Sequence, residues 1–262
     1  MDRSEETSAM TTTLIVLAHP DRRSFNGAWA EATAQAAEAQ GDTVLWSDLY
    51  AMGFHPAEAA ARYDAWGAGQ FDPLKAQEKR AEAGTLPPEI TAEVDKIRAA
   101  DRIVFHFPLW WFAPPAMLKG WFDRALVHGA LHSVDQRFDR GLCRGKSALF
   151  CVTTGARASE SAFNGKEGDV QMLLWPSAYT LRYLGFDVLL PRVVHGVHGY
   201  FKGQERVDLE ARLARVLEDQ PAVIAGFDGL PRLSFNADDA FDQEGRLREG
   251  SPSYSPFIRH RP

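Results

Sequence analysis

Several residue types and sequence patterns are scarce or missing in this 262-residue chain, and each absence argues against a class of protein. Two cysteines, Cys143 and Cys151, are too few for a disulfide framework or a cysteine-ligated metal site, so we expect buried thiols. The net charge of −6 and the lack of any lysine and arginine run argue against nucleic acid or an anionic membrane surface. No apolar run approaches the length of a membrane span, and the polar N-terminus lacks a signal-peptide pattern. We therefore expect a cytoplasmic protein without membrane insertion.

Several catalytic and ligand-binding motifs are missing as well. The turn after the first apolar run contains neither G-x-G-x-x-G nor G-x-x-x-x-G-K, which excludes the dinucleotide fingerprint and the P-loop there. No G-x-S-x-G elbow is present, so acyl transfer is disfavoured. His195 and His198 are three residues apart without a third ligand nearby, and we predict no metal site.

Short apolar runs alternate with helical patterns along most of the chain. The predicted strands cover residues 12–18, 42–49, 101–107, 146–152 and 186–194. The predicted helices cover residues 24–40, 56–70, 89–100, a stretch from Pro115, and 205–218, whereas 72–88 is interpreted as a long connection or lid. This alternation predicts an α/β protein with an open doubly wound sheet of five parallel strands and helices on both faces.

In such a sheet, ligands bind beyond the carboxyl ends of the strands, where three conspicuous loops would meet. The loop at 19–26 offers backbone N–H groups, a helix N-terminus and two arginines, which suit a phosphate, although an ordinary capped helix has the same pattern. The loop at 108–112 is rich in aromatic residues and proline, as a shelf for a flat ring or a packed core would be. With the loop at 153–156, these features fit a flavin.

Four segments in this order and spacing resemble the NAD(P)H:quinone oxidoreductase (DT-diaphorase) family of flavodoxin-like flavoproteins: LAHPDRRSFNGA, FPLWWFAPPAMLKGWFDR, GKSALFCVTTGA and GDVQMLLWP. The resemblance runs from about Leu14 to Leu217. It implies a flavodoxin-like fold, a homodimer with FAD sites at its interface, and ping-pong two-electron transfer from NAD(P)H to a quinone. It also implies an FAD-binding domain at 12–220. The composition of the two ends predicts a flexible N-terminus at 1–11 and a C-terminal extension at 221–262 that packs on the body or on the dimer partner.

The same resemblance assigns site residues. Those matching the family's loop for the FAD pyrophosphate and ribityl chain are His19, Ser24, Phe25, Asn26 and Ala28. Those matching its isoalloxazine shelf, with the loop opposite, are Pro108, Leu109, Trp110, Trp111, Phe112, Thr153, Thr154, Gly155 and Ala156. Arg206 matches an arginine near the adenine end of FAD, so FAD is expected rather than FMN.

Two departures from the family pattern bear on chemistry. A tyrosine and histidine that follow the glycine loop in mammalian members are replaced by Ser161 and Glu167. Backbone N–H groups near Gly155 would then stabilise charge on the reduced ring, and we expect Glu167 to face outward or to pair with Arg157 or Lys166.

The second departure concerns the acceptor. Two family tyrosines contributed by the partner subunit correspond to His132 and Val134. His132 could donate a hydrogen bond or proton to a quinone oxygen, or it could be an ordinary loop histidine. Tyr183 is favoured over Tyr179 as the aromatic lid. The expected catalytic residues are thus Gly155, His132 and Tyr183.

The predicted activity is NAD(P)H-dependent reduction of a quinone or of a quinone-like, nitro or azo compound by hydride transfer through flavin N5. Either NADH or NADPH could serve as the donor. The alternatives are a regulatory redox-sensing flavoprotein subunit bound to a transporter or other partner, and a specialised biosynthetic flavin reductase. Retention of the aromatic loop favours the reductase.

Overall fold

The computed structural model describes residues 10–63 and 69–260, and these form a six-stranded parallel sheet between two layers of helices. The strands are β1 (Thr12–Leu17), β2 (Thr43–Asp48), β3 (Arg102–Pro108), β4 (Ser147–Thr153), β5 (Asp187–Val188) and β6 (Arg192–Val194). The helices are α1 (Phe25–Ala39), α2 (Pro73–Glu82), α3 (Pro88–Ala99), α4 (Ala116–Ala125), α5 (Val170–Leu184) and α6 (Gly203–Ala225).

The strand order is β2-β1-β3-β4-β5, and β6 also pairs with β4. The two last strands continue one line, because β5 pairs with the start of β4 and β6 pairs with its end. Pro191 lies between them and has no N–H to donate to a ladder, so the single strand expected at 186–194 is interrupted. The predicted doubly wound α/β fold is confirmed.

The core lies on both faces of the sheet. Helices α1 and α6 cover one face, where Trp29 and Ile224 pack against Val104 and Leu149. Helices α3, α4 and α5 cover the other face through a larger cluster that includes Trp121 and several phenylalanines. The central strands are buried on both sides, as their continuous apolar runs predict.

Two predictions between β2 and α3 are wrong. The helix expected at 56–70 is replaced, in its described part, by a single 3-10 turn at Ala60–Arg62; residues 64–68 lie outside the described residues. The connection expected at 72–88 instead forms α2, which Asp72 caps by accepting a hydrogen bond from Lys75 N at 3.2 Å. Pro73 begins this helix with a preset φ, and good helix formers follow.

The last helix is longer than predicted. It was expected to end at Glu218, yet α6 continues through Pro221 to Ala225 and crosses the expected boundary at 220. Burial of Gln220 and Ile224 against the sheet outweighs the backbone hydrogen bond lost at the proline. The expected buried thiols are confirmed, and burial raises the pKa of Cys143 to about 11 and that of Cys151 to about 12. Among the described residues, no helix is long and apolar enough to cross a membrane.

Candidate active site at the carboxyl edge of the sheet

The loop after β1 forms a tight entry into α1. Ser24 caps the helix by accepting a hydrogen bond from Gly27 N at 3.2 Å. A Cβ at Gly27 would lie 2.0 Å from the carbonyl oxygen of Arg22, so only glycine fits. Arg22 pairs with Glu31 at 3.2 Å, and Arg23 pairs with Asp21 at 2.8 Å. The hydrogen bond from Arg23 lowers the pKa of Asp21 to about 2. Both arginines already face carboxylates, so the backbone is the stronger candidate for holding a phosphate here.

Asn26, in the first turn of α1, joins this loop to the end of β4. Its Oδ1 accepts a hydrogen bond from Thr153 Oγ1 at 2.9 Å, and the residue is only 3% exposed. Its Nδ2 is buried without a hydrogen-bond partner in the described structure. An unsatisfied buried donor costs about 1–3 kcal/mol, so an acceptor atom of a ligand fits at this position.

The aromatic loop after β3 is a strained two-residue turn. Trp110 and Ala113 exchange both backbone hydrogen bonds, at 3.0 and 3.2 Å. Trp111 and Phe112 between them have φ values of 51° and 62°. This left-handed pair is the type I′ pattern usually made by asparagine and glycine, and each bulky residue costs roughly 1–2 kcal/mol there. The turn leaves Trp111 93% exposed and Phe112 53% exposed.

The loop after β4 is fixed by its neighbours. Thr154 N donates to Val194 O at 3.0 Å, and Val197 N donates to Thr154 O at 2.9 Å. A Cβ at Gly155 would find its nearest non-neighbouring atom 4.0 Å away, so space is open beside this residue. Backbone hydrogen bonds therefore fix this loop, and the space beside Gly155 is open.

The aromatic loop and the glycine loop together line a first cavity of about 280 Å³. Its lining residues are Leu109, Trp111, Phe112, Thr154, Gly155, Ala156, Ser161, Glu167, Val170 and Leu173. Pro108, Trp110 and Thr153 line a neighbouring recess with the same two loops, and His19 lies beside Trp110 with the ring centroids 5.9 Å apart. The structure thus brings the loops expected at this edge together.

Glu167 lines the first cavity, so the expectation that it faces outward or pairs with Arg157 or Lys166 is wrong. Lys166 instead pairs with Glu160 at 3.2 Å. Glu167 N donates to Glu160 O at 2.9 Å, which folds the loop back on itself. Gly165 permits this close approach, because a Cβ there would lie 2.1 Å from Glu160 O. Thr154, Ser161 and Glu167 are therefore the hydroxyl- and carboxyl-bearing residues that line this cavity.

His132 and Tyr183 line a second cavity, of about 360 Å³, between α4 and α5. Their rings meet edge to face with centroids 5.3 Å apart. Leu173 lines both cavities, which makes them neighbours. The structure therefore joins two of the three expected catalytic residues and places Gly155 in the adjoining cavity. Tyr179 instead stacks on Trp175, with centroids 4.3 Å apart.

Arg206 lies apart from both cavities. It is in the first turns of α6, and its exposed guanidinium pairs with Glu210 at 2.8 Å. This hydrogen bond raises the pKa of Arg206. The structure does not bring Arg206 to either aromatic cavity, and its expected role near adenine stays a prediction.

Sequence reasoning missed a buried polar network between the central strands and helices α1 and α6. His106 Nε2 lies 3.1 Å from Thr33 Oγ1, which accepts from Gln220 Nε2 at 2.8 Å. Gln220 Oε1 accepts from Trp29 Nε1 at 2.9 Å and from Arg192 at 3.1 Å. The network ties α1 and α6 to the central strands. Burial lowers the pKa of His106 to about 3. The sequence feature that could have indicated this network is His106, a polar residue within an apolar strand.

The parallel sheet with its ligand-sized cavities at the carboxyl edge defines a flavodoxin-like protein, and the family model for the flavodoxin-like fold matches residues 11–218. NAD(P)H dehydrogenase [quinone] 1 of Rattus norvegicus is 38% identical over 96% of this chain and 94% of its own length. Ribosyldihydronicotinamide dehydrogenase [quinone] of Mus musculus is 36% identical over 79% of this chain and 93% of its own length. A solved structure from Klebsiella pneumoniae assigned as a quinone reductase superposes with a TM-score of 0.79 at 29% identity, covering 93% of this chain and 97% of that one.

The chain belongs to the NAD(P)H:quinone oxidoreductase family of flavodoxin-like proteins. The family resemblance expected from the four sequence segments is thereby confirmed.

Proposed function

We propose that this chain is an FAD-dependent oxidoreductase that passes two electrons from NAD(P)H to a quinone in successive half-reactions. One observation carries the proposal: a strained aromatic turn and a glycine loop face one cavity, beside an unsatisfied buried donor on Asn26. Backbone strain and buried polar groups without hydrogen-bond partners are retained where a bound ligand compensates for them.

The residues fit a flavin. Trp110, Trp111 and Phe112 would hold the ring, with Thr154 to Ala156 as the opposite wall. The polar part of the cofactor would reach His19, Ser24 and the Asn26 Nδ2 donor. Phe25 and Ala28 flank these residues at the start of α1, and Arg206 would meet the adenine end. When bound, a flavin supplies hydride exchange through its N5 atom.

The chain's own residues shape the reaction. The openness beside Gly155 lets a planar ring approach the backbone closely. Backbone dipoles of this loop would stabilise negative charge on the ring edge, whereas the Glu167 carboxylate at the same cavity opposes it. NAD(P)H and the quinone would occupy the same exposed aromatic face one after the other. This alternation is the basis for proposing ping-pong transfer.

The relatives support the choice of substrates. Both relatives named above carry quinone in their names, and the one named for NAD(P)H matches 96% of this chain, against 79% for the one named for ribosyldihydronicotinamide. This difference favours NAD(P)H as the donor. Three azoreductases and a general stress protein among the solved structures, two of these four in complex with FMN, are at most 22% identical and share the fold alone.

We further propose a homodimer in which His132 and Tyr183 of one subunit complete the acceptor site of the other. Within one chain these residues line a cavity next to the proposed flavin site. Trp111 is 93% exposed and Phe112 is 53% exposed, so surface remains at this loop for a bound flavin and a second subunit to cover.

The test is the visible spectrum of the purified protein, recorded anaerobically as NADPH and then a benzoquinone are added. We expect a flavin spectrum that bleaches with NADPH and returns with quinone, and release of FAD on denaturation. Negligible reduction of a bound flavin, or no flavin after reconstitution, would contradict the proposal.

A matched pair of variants tests the site. Asn26→Ala should weaken flavin binding by about tenfold, because a donor worth roughly 1–3 kcal/mol is lost. Asn236→Ala removes another largely buried amide, whose Nδ2 donates to Pro252 O at 2.8 Å far from the cavity, and should leave binding unchanged. Equal flavin affinity in both variants would remove Asn26 from the site.

A further inference from the structure

Beyond α6 the chain continues as a C-terminal segment, residues 226–260, whose start runs along the edge of the sheet. Leu190 N donates to Pro231 O at 2.7 Å, and Leu233 N donates to Val188 O at 2.8 Å. The two stretches of chain are antiparallel at this point. Backbone pairing beside β5 therefore fixes where the C-terminal segment begins.

Asp139, in the loop before β4, connects the C-terminal segment to α5. Its Oδ2 accepts a hydrogen bond from Asp238 N at 2.6 Å, and its Oδ1 pairs with Arg182 of α5. The Arg182 guanidinium also donates to Asn236 O at 3.4 Å. One carboxylate thus holds a helix and the C-terminal segment together.

The residue before this carboxylate, Phe138, has an unfavourable backbone conformation. Its φ is 51°, in the left-handed region that bulky side chains avoid. Two hydrogen bonds close the turn around it, from Arg140 N to Arg137 O and from Gly141 N to Phe138 O, both at 3.0 Å. Strain of this kind persists only where the surrounding structure compensates for it, and it is concentrated at functional sites.

The ring of Phe138 lies between the C-terminal segment and the second cavity. It meets Tyr183 edge to face with centroids 5.0 Å apart, and Tyr183 lines the second cavity. Its centroid also lies 5.6 Å from that of Tyr179, which stacks on Trp175. Phe257 of the C-terminal segment stacks on Trp175 in turn, with centroids 4.8 Å apart. A continuous series of ring contacts therefore leads from the C-terminal segment to the wall of the second cavity.

Two guanidinium groups complete the surroundings of the Phe138 ring. The Arg182 guanidinium lies 5.8 Å from the ring centre, and that of Arg137 lies 5.9 Å from it. Asp139 adjoins Phe138 in the chain and pairs with Arg182, so it acts on Phe138 through the backbone and through a group beside the ring. Loss of the Asp139 carboxylate should therefore loosen the Phe138 ring.

We propose that Phe138 is a positioning residue that fixes the Tyr183 ring at the acceptor site, and that the C-terminal segment holds Phe138 in place through Asp139. This inference rests on the proposed function, in which Tyr183 belongs to the acceptor site. The edge-to-face contact restricts the Tyr183 ring, so a planar acceptor meets a preformed wall and loses less free energy to ordering side chains when it binds. The consequence is tighter binding of the acceptor, without a change in the rate of hydride transfer.

The first test observes Tyr183 by fluorine NMR of the purified full-length protein labelled with 3-fluorotyrosine, and Tyr183→Phe assigns its signal. Phe138→Asn should shift this signal, because the neighbouring ring is lost. Asp139→Ala should shift it in the same direction, whereas Asp135→Ala, which removes an exposed carboxylate from the same loop, should leave it in place. An unmoved signal in Phe138→Asn would overturn the positioning role, and an unmoved signal in Asp139→Ala would overturn the link to the C-terminal segment.

The second test measures reoxidation of the reduced protein by a benzoquinone in stopped flow, over a range of quinone concentrations. Phe138→Asn should raise the half-saturating quinone concentration about fivefold, as expected for the loss of one aromatic contact. Asparagine tolerates the left-handed φ, so the turn is kept, and the limiting rate and the rate of reduction by NADPH should be unchanged. Phe138→Tyr retains the ring and should keep the wild-type half-saturating concentration. A lower limiting rate at an unchanged half-saturating concentration in Phe138→Asn would overturn the proposal.

The two tests separate this inference from the proposed function. The NMR result requires neither a bound flavin nor turnover. A protein that binds no flavin, or whose flavin NADPH does not reduce, contradicts the proposed function. A Tyr183 signal that responds to neither Phe138→Asn nor Asp139→Ala contradicts the positioning role alone.

Discussion

The two neighbouring cavities differ in how their walls are held. Two walls of the first are loops fixed by backbone hydrogen bonds at the ends of strands, from Leu109 N to Thr153 O at 2.8 Å and from Thr154 N to Val194 O at 3.0 Å. The second is lined largely by side chains from α4, α5 and the loop that carries His132. Backbone walls follow from the sheet topology and resist substitution, whereas side-chain walls can change one residue at a time. We therefore expect related proteins to share the site that binds the cofactor and to differ in the pocket that binds the acceptor.

The largest expected effect is sensitivity to acid, because His106 is a fully buried histidine in β3, the strand that leads into the aromatic loop. Its folded pKa of about 3 lies below the ordinary value of about 6.5, so the unfolded chain binds more protons between these values. Stability should fall as the pH drops below 6.5, by about 3 kcal/mol at pH 4. His106→Gln can keep a donor to Thr33 and cannot titrate, so it should lack this loss.

Urea unfolding of the wild-type protein and of His106→Gln, each at pH 7 and pH 4, measures this difference in stability. Other acidic and basic groups contribute equally to both proteins, so only the difference between wild type and variant is interpreted. Parallel losses in the two proteins would show that His106 does not stay neutral in the fold.

The second expected effect concerns the backbone of the loop between β1 and α1. Gly27→Ala places a Cβ on the carbonyl oxygen of Arg22, 2.0 Å away, and the loop must move. We expect a stability loss of about 2 kcal/mol and flavin binding about thirtyfold weaker. Gly229→Ala is the control, because a Cβ there meets nothing within 4 Å and its φ is not positive. Titration of apoprotein with FAD measures the effect, and equal affinities in the two variants would refute it.

The third prediction concerns a substitution in the second cavity. His132→Ala should slow quinone reduction about tenfold, because a hydrogen-bond donor to the acceptor is lost. Flavin content and the rate of reduction by NADPH should stay at wild-type values, since His132 lines the second cavity and not the first. Stopped-flow measurement of each half-reaction separates these effects. Slowing of the NADPH step alone would show that His132 serves the donor.

The difference between the two cavities also explains which features could be predicted from the sequence. Convergence of the three loops follows from strand order, so Asn26, Trp110 and Gly155 were placed at one edge from the apolar runs alone. The surroundings of His132 were not predictable, because they depend on α2, whose polar composition was interpreted as a connection. The outward position expected for Glu167 failed for a related reason: a non-local backbone contact with Glu160 decides it.

The left-handed turn of the aromatic loop was also beyond the sequence, because neither Trp111 nor Phe112 favours a positive φ. Its strain leads to the smallest predicted effect. Replacing the pair by Asn and Gly, the usual residues of a type I′ turn, should raise the free energy of unfolding by about 1 kcal/mol. The same change removes two ring faces from the first cavity and should weaken flavin binding. Urea unfolding of the apoprotein and FAD titration give the two quantities. A variant that is both less stable and weaker in binding would show that the aromatic rings, by packing, stabilise this turn themselves.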